Sequence, residues 1–260
     1  MEAVRARFLL PRREEKIMDK KYKVLNRDVI KYIAMFTMLL NHIANIFFSS
    51  GELIREIFLD IGYFTAITMC YFLVEGYQYT RSRKKYALRL LVFAVISQAP
   101  YLLAFWEEFI MLNMMFTLLL CFLIICVLES DMPKLPQALL CILLIFVSLF
   151  SDWALLAPVY TILFVKCRGS KKKTAVAYGV AAVLFMGFNY LNYRMMYETA
   201  LQVVLPTLAS GIGIVVSGIV ILVFYNGKRM ERGREFSKWF FYLFYPVHLL
   251  ILGIIRVLVH

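Results

Sequence analysis

The sequence predicts an all-α membrane protein, a polytopic helical bundle of about nine transmembrane helices with a cytoplasmic N-terminus. Three observations carry that reading. Hydrophobic residues make up 62% of the 260, and mean hydropathy is +0.73, whereas a soluble domain is nearer half apolar. Apolar stretches of bilayer-spanning length recur along the chain. The 29 Lys and Arg residues gather between alternate apolar stretches. A net charge of +12 would suggest nucleic acid in a soluble protein. Distributed this way it marks the cytoplasmic side of a bilayer, with membrane lipids and no nucleic acid as partners.

Residues 1–24 form a basic cytoplasmic tail. Met18 opens MDKKYKVLNRD, a start in its own right, so the first seventeen residues read as a dispensable extension. Their apolar patch, Phe8–Leu10, is too short for a signal peptide. Residues 25–260 form a single transmembrane domain.

Hydropathy places spans at 29–48, 54–77, 86–106, 109–128, 136–150, 153–167, 173–192, 200–224 and 239–259. The fifth and sixth are short, and Ser151-Asp152-Trp153 between them is either a loop or a break within a re-entrant pair. Alternating the gaps puts twenty-five Lys and Arg on the N-terminal side and only Arg55, Arg194 and Arg256 on the other. That bias sets the N-terminus and Lys166–Lys173 inside, with Glu107-Glu108 outside. The cysteines, Cys70, Cys121, Cys126, Cys141 and Cys167, form no CxxC pair, and four lie in apolar segments. They read as packing residues, with no metal site.

The first span, NRDVIKYIAMFTMLLNHIANIFF, is the unusual one, since it carries Lys31 and His42. At about 100° per residue, eleven steps return to within about 20°, so both side chains share a face with Ala34, Met35, Met38 and Asn45. The same eleven steps rise roughly 16 Å, about half the hydrocarbon. Ionisable groups at that depth are costly and usually serve a purpose. Asp60 falls at the depth of His42, Glu75 lies near the inner end of span two, and His248 is close to mid-membrane in span nine. Asn113 and Thr117 form an i,i+4 pair in the outer half of span four.

A phosphorylated donor would be gripped at the inner boundary by Lys31, Arg81, Lys85 and Arg89. An acyl-coenzyme A suits this pattern, since its phosphates and its thioester sit at opposite ends of a flexible arm. An arm laid along the Lys31–His42 face would bring the thioester to the imidazole, which then serves as general base or acyl carrier. Asn41, Asn45, Asn113 and Thr117 are the candidates for holding the oxyanion or the acceptor, and His248 and Asp60 for assisting His42. Each has a structural reading beside it. Lys31 can snorkel to headgroups; Arg81, Lys85 and Arg89 can merely set topology; Asp60 and Glu75 can cap helices; Asn113 and Thr117 can join helices.

The stretches DVIKYIAMFTMLLNHI, Ile61-Gly62, FLVEGYQYTRSRKKYALRLLVFAVISQAPY, LNMMFTLLL, SDWALLAPVY and FFYLFYPVHL resemble, in order and spacing, the TraX family, from about Leu25 to Leu250. Members of that family acetylate the N-terminus of a conjugative pilin. The family is similar in turn to the acyltransferase-3 group, whose first helix carries a basic residue, ten intervening residues and a catalytic histidine, matched here by Lys31 and His42. The family often has Asp immediately before the histidine, where this chain has Asn41, so a carboxylate partner either comes from elsewhere, with Asp60 the candidate, or is absent.

The resemblance implies an acyl-coenzyme A-dependent acetyltransferase of the bacterial cytoplasmic membrane, multi-pass, with acetyl-coenzyme A as donor and no metal. Its acceptor is an amine or hydroxyl at or beyond the membrane: a pilin or other peptide N-terminus, an envelope glycan or a lipid. The alternative is a small-solute or proton-coupled transporter using His42, Asp60 and His248, although the two halves show no inverted repeat.

Overall fold

The computed structural model describes residues 22–105 and 111–259. The expectations for residues 1–21 and for Glu107-Glu108 fall outside them. Among the described residues there are no strands, only helices and the isolated bridges Leu25–Tyr225 and Leu112–Ser151.

Nine α-helices follow one another among the described residues: α1 (Arg27–Phe47), α2 (Leu53–Tyr79), α3 (Arg83–Phe105), α4 (Met114–Leu128), α5 (Lys134–Val147), α6 (Leu156–Cys167), α7 (Lys171–Met196), α8 (Ala200–Ile219) and α9 (Arg234–Val259). A 3₁₀ turn, Ser148–Phe150, ends α5, and a π turn, Val220–Phe224, ends α8. Six of these helices, α1, α2, α3, α7, α8 and α9, are long and apolar enough to cross a membrane. This is fewer than the nine expected. The helices α4, α5 and α6 have 15, 14 and 12 residues, which at about 1.5 Å per residue gives roughly 18–22 Å, short of a hydrocarbon core of about 30 Å.

Helix α2 is the hub, packing on α1, α8, α6 and α4. Its middle, from Phe64 to Tyr77, is almost wholly buried with Phe122 and Ile125 of α4 and Tyr160 of α6. With no hydrophobic drive between helices in lipid, close approach and polar links must join them. Thr65 of α2 donates to Ala34 O at 2.7 Å and lies 2.8 Å from the Thr37 hydroxyl, stitching α1 to α2. Gly62 lets the Asn41 side chain lie against the α2 backbone, where any Cβ would overlap it. Thr68 meets Ser217 at 2.7 Å on the α8 side.

The N-terminal end of α1 is anchored by its own cap and by the α8–α9 connection. Asn26 caps it, its side chain accepting from the N–H groups of Asp28 and Val29 at 3.0 Å, the usual device for an otherwise bare first turn. Asp28 then binds the α8–α9 connection, accepting from Met230 N–H at 2.8 Å and from the Ser237 hydroxyl at 3.1 Å. Arg27 N–H donates to Lys228 O at 2.8 Å. The last helix is thereby tied to the first.

Candidate active site

Helices α1, α2, α3 and α9 surround a chamber of about 1110 Å³. Its two ends differ in chemistry. One lies among the N-terminal ends of α1, α3 and α9 and is lined by Arg27, Lys31, Arg81, Lys85, Arg89, Arg229 and Lys238. The other is lined by Asn41, His42, Asn45, Tyr101, Phe105, Asp152, Trp153 and Tyr245. Met35, Met38, Ala66, Met69, Met115 and Leu118 form the waist. The α1 face carrying Lys31 and His42 looks into this chamber along with Met35 and Met38, while Ala34 turns to α2.

At the cationic end, Lys31 is bounded by the Phe72 and Phe241 rings, its ammonium 6.0 and 5.0 Å from their centroids. Lys85 and Arg89 lie four residues apart on α3, so one helix face presents both, and Arg81 lines the same end from the turn before that helix. The Arg89 Nε is buried and has no hydrogen-bond partner. Arg27 is a cation the sequence reading passes over. It donates to Phe72 O at 3.1 Å and pairs with Glu75 at 3.6 Å. Glu75 in turn accepts from the Tyr225 hydroxyl at 2.8 Å, carried at the end of the π turn. Arg229 and Lys238 come from a charge run read only as a topology signal. A signal for Arg27 was present, because it lies four residues before Lys31 and so on the same face.

At the other end, His42 and His248 form a pair. His42 Nδ1 is 2.8 Å from His248 Nε2, and the two rings are nearly parallel, 7° apart, with centroids 5.0 Å apart. His248 Nδ1 is 2.7 Å from Phe244 O. A carbonyl can only accept, so His248 carries its proton on Nδ1. In a neutral pair His248 Nε2 then accepts from His42 Nδ1–H, and His42 Nε2 is left with a lone pair. Phe105 packs edge-on to His42 at 5.3 Å, and the Tyr245 ring lies 6.3 Å away. Both imidazoles are buried, 6% and 5% exposed.

The other expected residues distribute unevenly. Asp60 does not line the chamber; its main-chain carbonyl lies against Gly213 of α8. The partner of the His42 imidazole is His248. Asn41 and Asn45 line the chamber, but Asn45 Nδ2 donates to Asn41 O and Oδ1 at 3.0 and 3.1 Å, and Asn41 Nδ2 reaches Leu59 O at 3.5 Å. Asn113 is off the chamber. It caps α4 and donates to Ala94 O and Gln98 at 2.8 Å, joining α3 to α4. Thr117 is also off it, donating to Ser151 Oγ and Asp152 O. It thereby holds the 151–155 loop in place.

A family model described as TraX protein matches residues 26–256. The chain is also 32% identical over 234 residues to the probable fimbrial assembly protein FimC, serogroup H1, of Dichelobacter nodosus, which covers 86% of this chain and 92% of that protein. No solved structure matches it.

Proposed function

Because the chain belongs to the TraX protein family, we propose that it is a membrane acyltransferase that moves an acetyl group from acetyl-coenzyme A to an amine or hydroxyl. The observation that carries this reading is one continuous chamber with cations at one end and a hydrogen-bonded imidazole pair at the other. A phosphorylated, long-armed thioester has the same polarity.

In this reading the cationic end faces the cytoplasm, in keeping with the one-sided distribution of Lys and Arg, and the short helices α4, α5 and α6 complete a multi-pass bundle in a bacterial cytoplasmic membrane. Lys31, Arg27, Arg89 and their neighbours bind the nucleotide phosphates. The thioester arm runs past the methionine waist, whose flexible thioethers suit an apolar, adaptable channel. His42 Nε2 takes the proton of the acceptor as its lone pair attacks the thioester carbon. His42 Nδ1–H, held by His248 Nε2, keeps the base in the required tautomer and stabilises the imidazolium that forms. His248 here has the orienting role that a carboxylate has in other dyads. The likeness to the acyltransferase-3 group rests on Lys31 and His42 and supports the same roles. The fimbrial assembly relative supports an acceptor on a pilus-type subunit.

A path for ions through His42, Asp60 and His248 has less support, since Asp60 is off the chamber. The test is acceptor-dependent release of free coenzyme A by purified protein in nanodiscs, joined to mass spectrometry of envelope peptides, glycans and lipids from cells with and without the gene. No release, and no acetyl difference in any fraction, would refute the reading.

A further inference from the structure

Resting on the acyl-transfer reading above, we propose that Tyr245 supplies the oxyanion hole, its phenol O–H donating to the thioester carbonyl oxygen as negative charge gathers there.

A tetrahedral oxyanion formed beside His42 in an apolar chamber needs a donor aimed at it, because an unpaired charge buried there is costly. The amides that the sequence suggests for the task are engaged elsewhere. Asn45 Nδ2 donates to Asn41 O and Oδ1 at 3.0 and 3.1 Å, and Asn41 Nδ2 reaches Leu59 O at 3.5 Å. Asn113 and Thr117 do not line the chamber. The imidazole pair has no donor to spare. His248 Nδ1–H goes to Phe244 O, and His42 Nδ1–H goes to His248 Nε2.

Tyr245 is placed differently. It is buried, lines the chamber, and has its ring centroid 6.3 Å from that of His42. It stands three residues before His248 on α9, which at about 1.5 Å per residue sets it roughly 4.5 Å closer to the cationic end. A thioester brought along the chamber from that end therefore meets Tyr245 on the near side of the imidazole pair. The phenol oxygen accepts from Met114 N–H at 3.1 Å. Met114 lines the chamber as well, so this hydrogen bond lies at the chamber wall. A phenol that accepts through its oxygen still has its own O–H to give, and the first hydrogen bond strengthens the second. Met114 also opens α4, a helix of 15 residues, and the partial positive charge of a helix N-terminus favours negative charge nearby. Asp152 and Tyr101 lie within electrostatic reach of the phenol, and an arriving carbonyl competes with them for the O–H. A main-chain group of another helix thus holds the donor in place before any substrate arrives, and such preorganisation is what stabilises a developing oxyanion.

The chemistry balances. The acceptor's lone pair attacks the thioester carbon, its proton passes to His42 Nε2, and the carbonyl π electrons move onto oxygen. Tyr245 donates to that oxygen and keeps its own proton. When the tetrahedral species collapses, the C=O bond re-forms, the C–S bond breaks, and the thiolate takes the proton from the His42 imidazolium. One acetylated acceptor and one coenzyme A thiol result, with His42 and Tyr245 restored.

The experiment uses the full chain in nanodiscs and acetyl-coenzyme A isotopically labelled at the acetyl carbonyl. Infrared difference spectra read the carbonyl band of the bound donor with no acceptor present. The band should lie lower in the parent than in Tyr245→Phe. It should lie lower still with a singly fluorinated tyrosine at position 245, which is a stronger donor and a weaker acceptor of nearly the same shape. With hydroxylamine as a small acceptor, Tyr245→Phe should slow single-turnover release of coenzyme A by about 10²–10³ and leave the Kd for acetyl-coenzyme A little changed. The fluorinated protein should release it faster than the parent. A purely structural role, accepting from Met114 N–H, gives the opposite order, since the fluorinated oxygen accepts less well. A carbonyl band that does not move, a Tyr245→Phe rate close to the parent's, or a slower fluorinated protein overturns the proposal. The expected band shifts without coenzyme A release to hydroxylamine or to an envelope extract would overturn the acyl-transfer reading and leave the contact standing.

Discussion

His42 Nδ1 and His248 Nε2 lie 2.8 Å apart, although 206 residues separate them in the chain. Phe244 O fixes which nitrogen of His248 is protonated, and that choice passes through the shared hydrogen bond to His42. One main-chain carbonyl on α9 thereby determines which atom of an α1 side chain has a lone pair. The two rings are expected to be unequal in importance.

His42→Ala should insert normally and still bind acetyl-coenzyme A, but lose about 10²–10⁴ in transfer rate. His42→Asn should fail equally, because an amide takes no proton near neutral pH. His248→Ala should be the milder lesion, and His248→Gln, whose Oε1 can accept from His42, milder still. Single-turnover release of coenzyme A ranks the four variants. If His248→Ala proves worse than His42→Ala, the base is His248.

At the cationic end, Lys31→Ala and Arg89→Ala should each weaken acetyl-coenzyme A binding by about 1.5–3 kcal/mol, roughly ten- to a hundredfold. Neither should change the affinity for acetyl-pantetheine, which has the arm and thioester without the nucleotide phosphates. Equal losses for both ligands would mean that these side chains serve the channel and not the phosphates.

Gly62→Ala should cost about 1–3 kcal/mol, because a Cβ there overlaps Asn41 across the α1–α2 contact. Gly179→Ala on α7 is the control, since nothing lies within 4 Å of its added Cβ. Thermal unfolding in detergent should show a lower Tm for the first variant and none for the second. A normal Tm for Gly62→Ala would show that α1 can shift without loss.

For orientation, single cysteines at Ser50 and Lys172, in a chain with its native cysteines replaced, should differ on intact cells. An impermeant thiol reagent should label position 50, in the α1–α2 connection, and spare position 172, at the start of α7. The reverse pattern would place the cationic end outside.

Helix positions were legible because hydropathy is a local property, and each of the nine helices coincides with an apolar stretch. Their capacity to span was less so: residues 136–150 and 153–167 are apolar enough, yet α5 and α6 have only 14 and 12 residues. Lys31 and His42 shared a face on helical geometry alone. The partner of His42 was not legible, because a span-by-span depth estimate puts Asp60 as near as His248, and only packing shows which helix faces α1. Asp152 was hidden for a related reason. In sequence it stands in a short polar break between apolar runs, where loop and re-entrant readings are equivalent. Thr117 and Leu112 hold that break through the Asp152 main chain.

The clasp between Asp28 and the α8–α9 connection has a consequence for biosynthesis. Helix α1 leaves the ribosome first and α9 last, so a nascent chain exposes Arg27, Lys31 and His42 through most of its synthesis without the helix that closes over them. The imidazole pair and the mouth of the chamber come into being in a single event, when α9 inserts and its leading turn docks on Asp28. A chain stalled before that moment lacks His248 and the α9 side of the chamber.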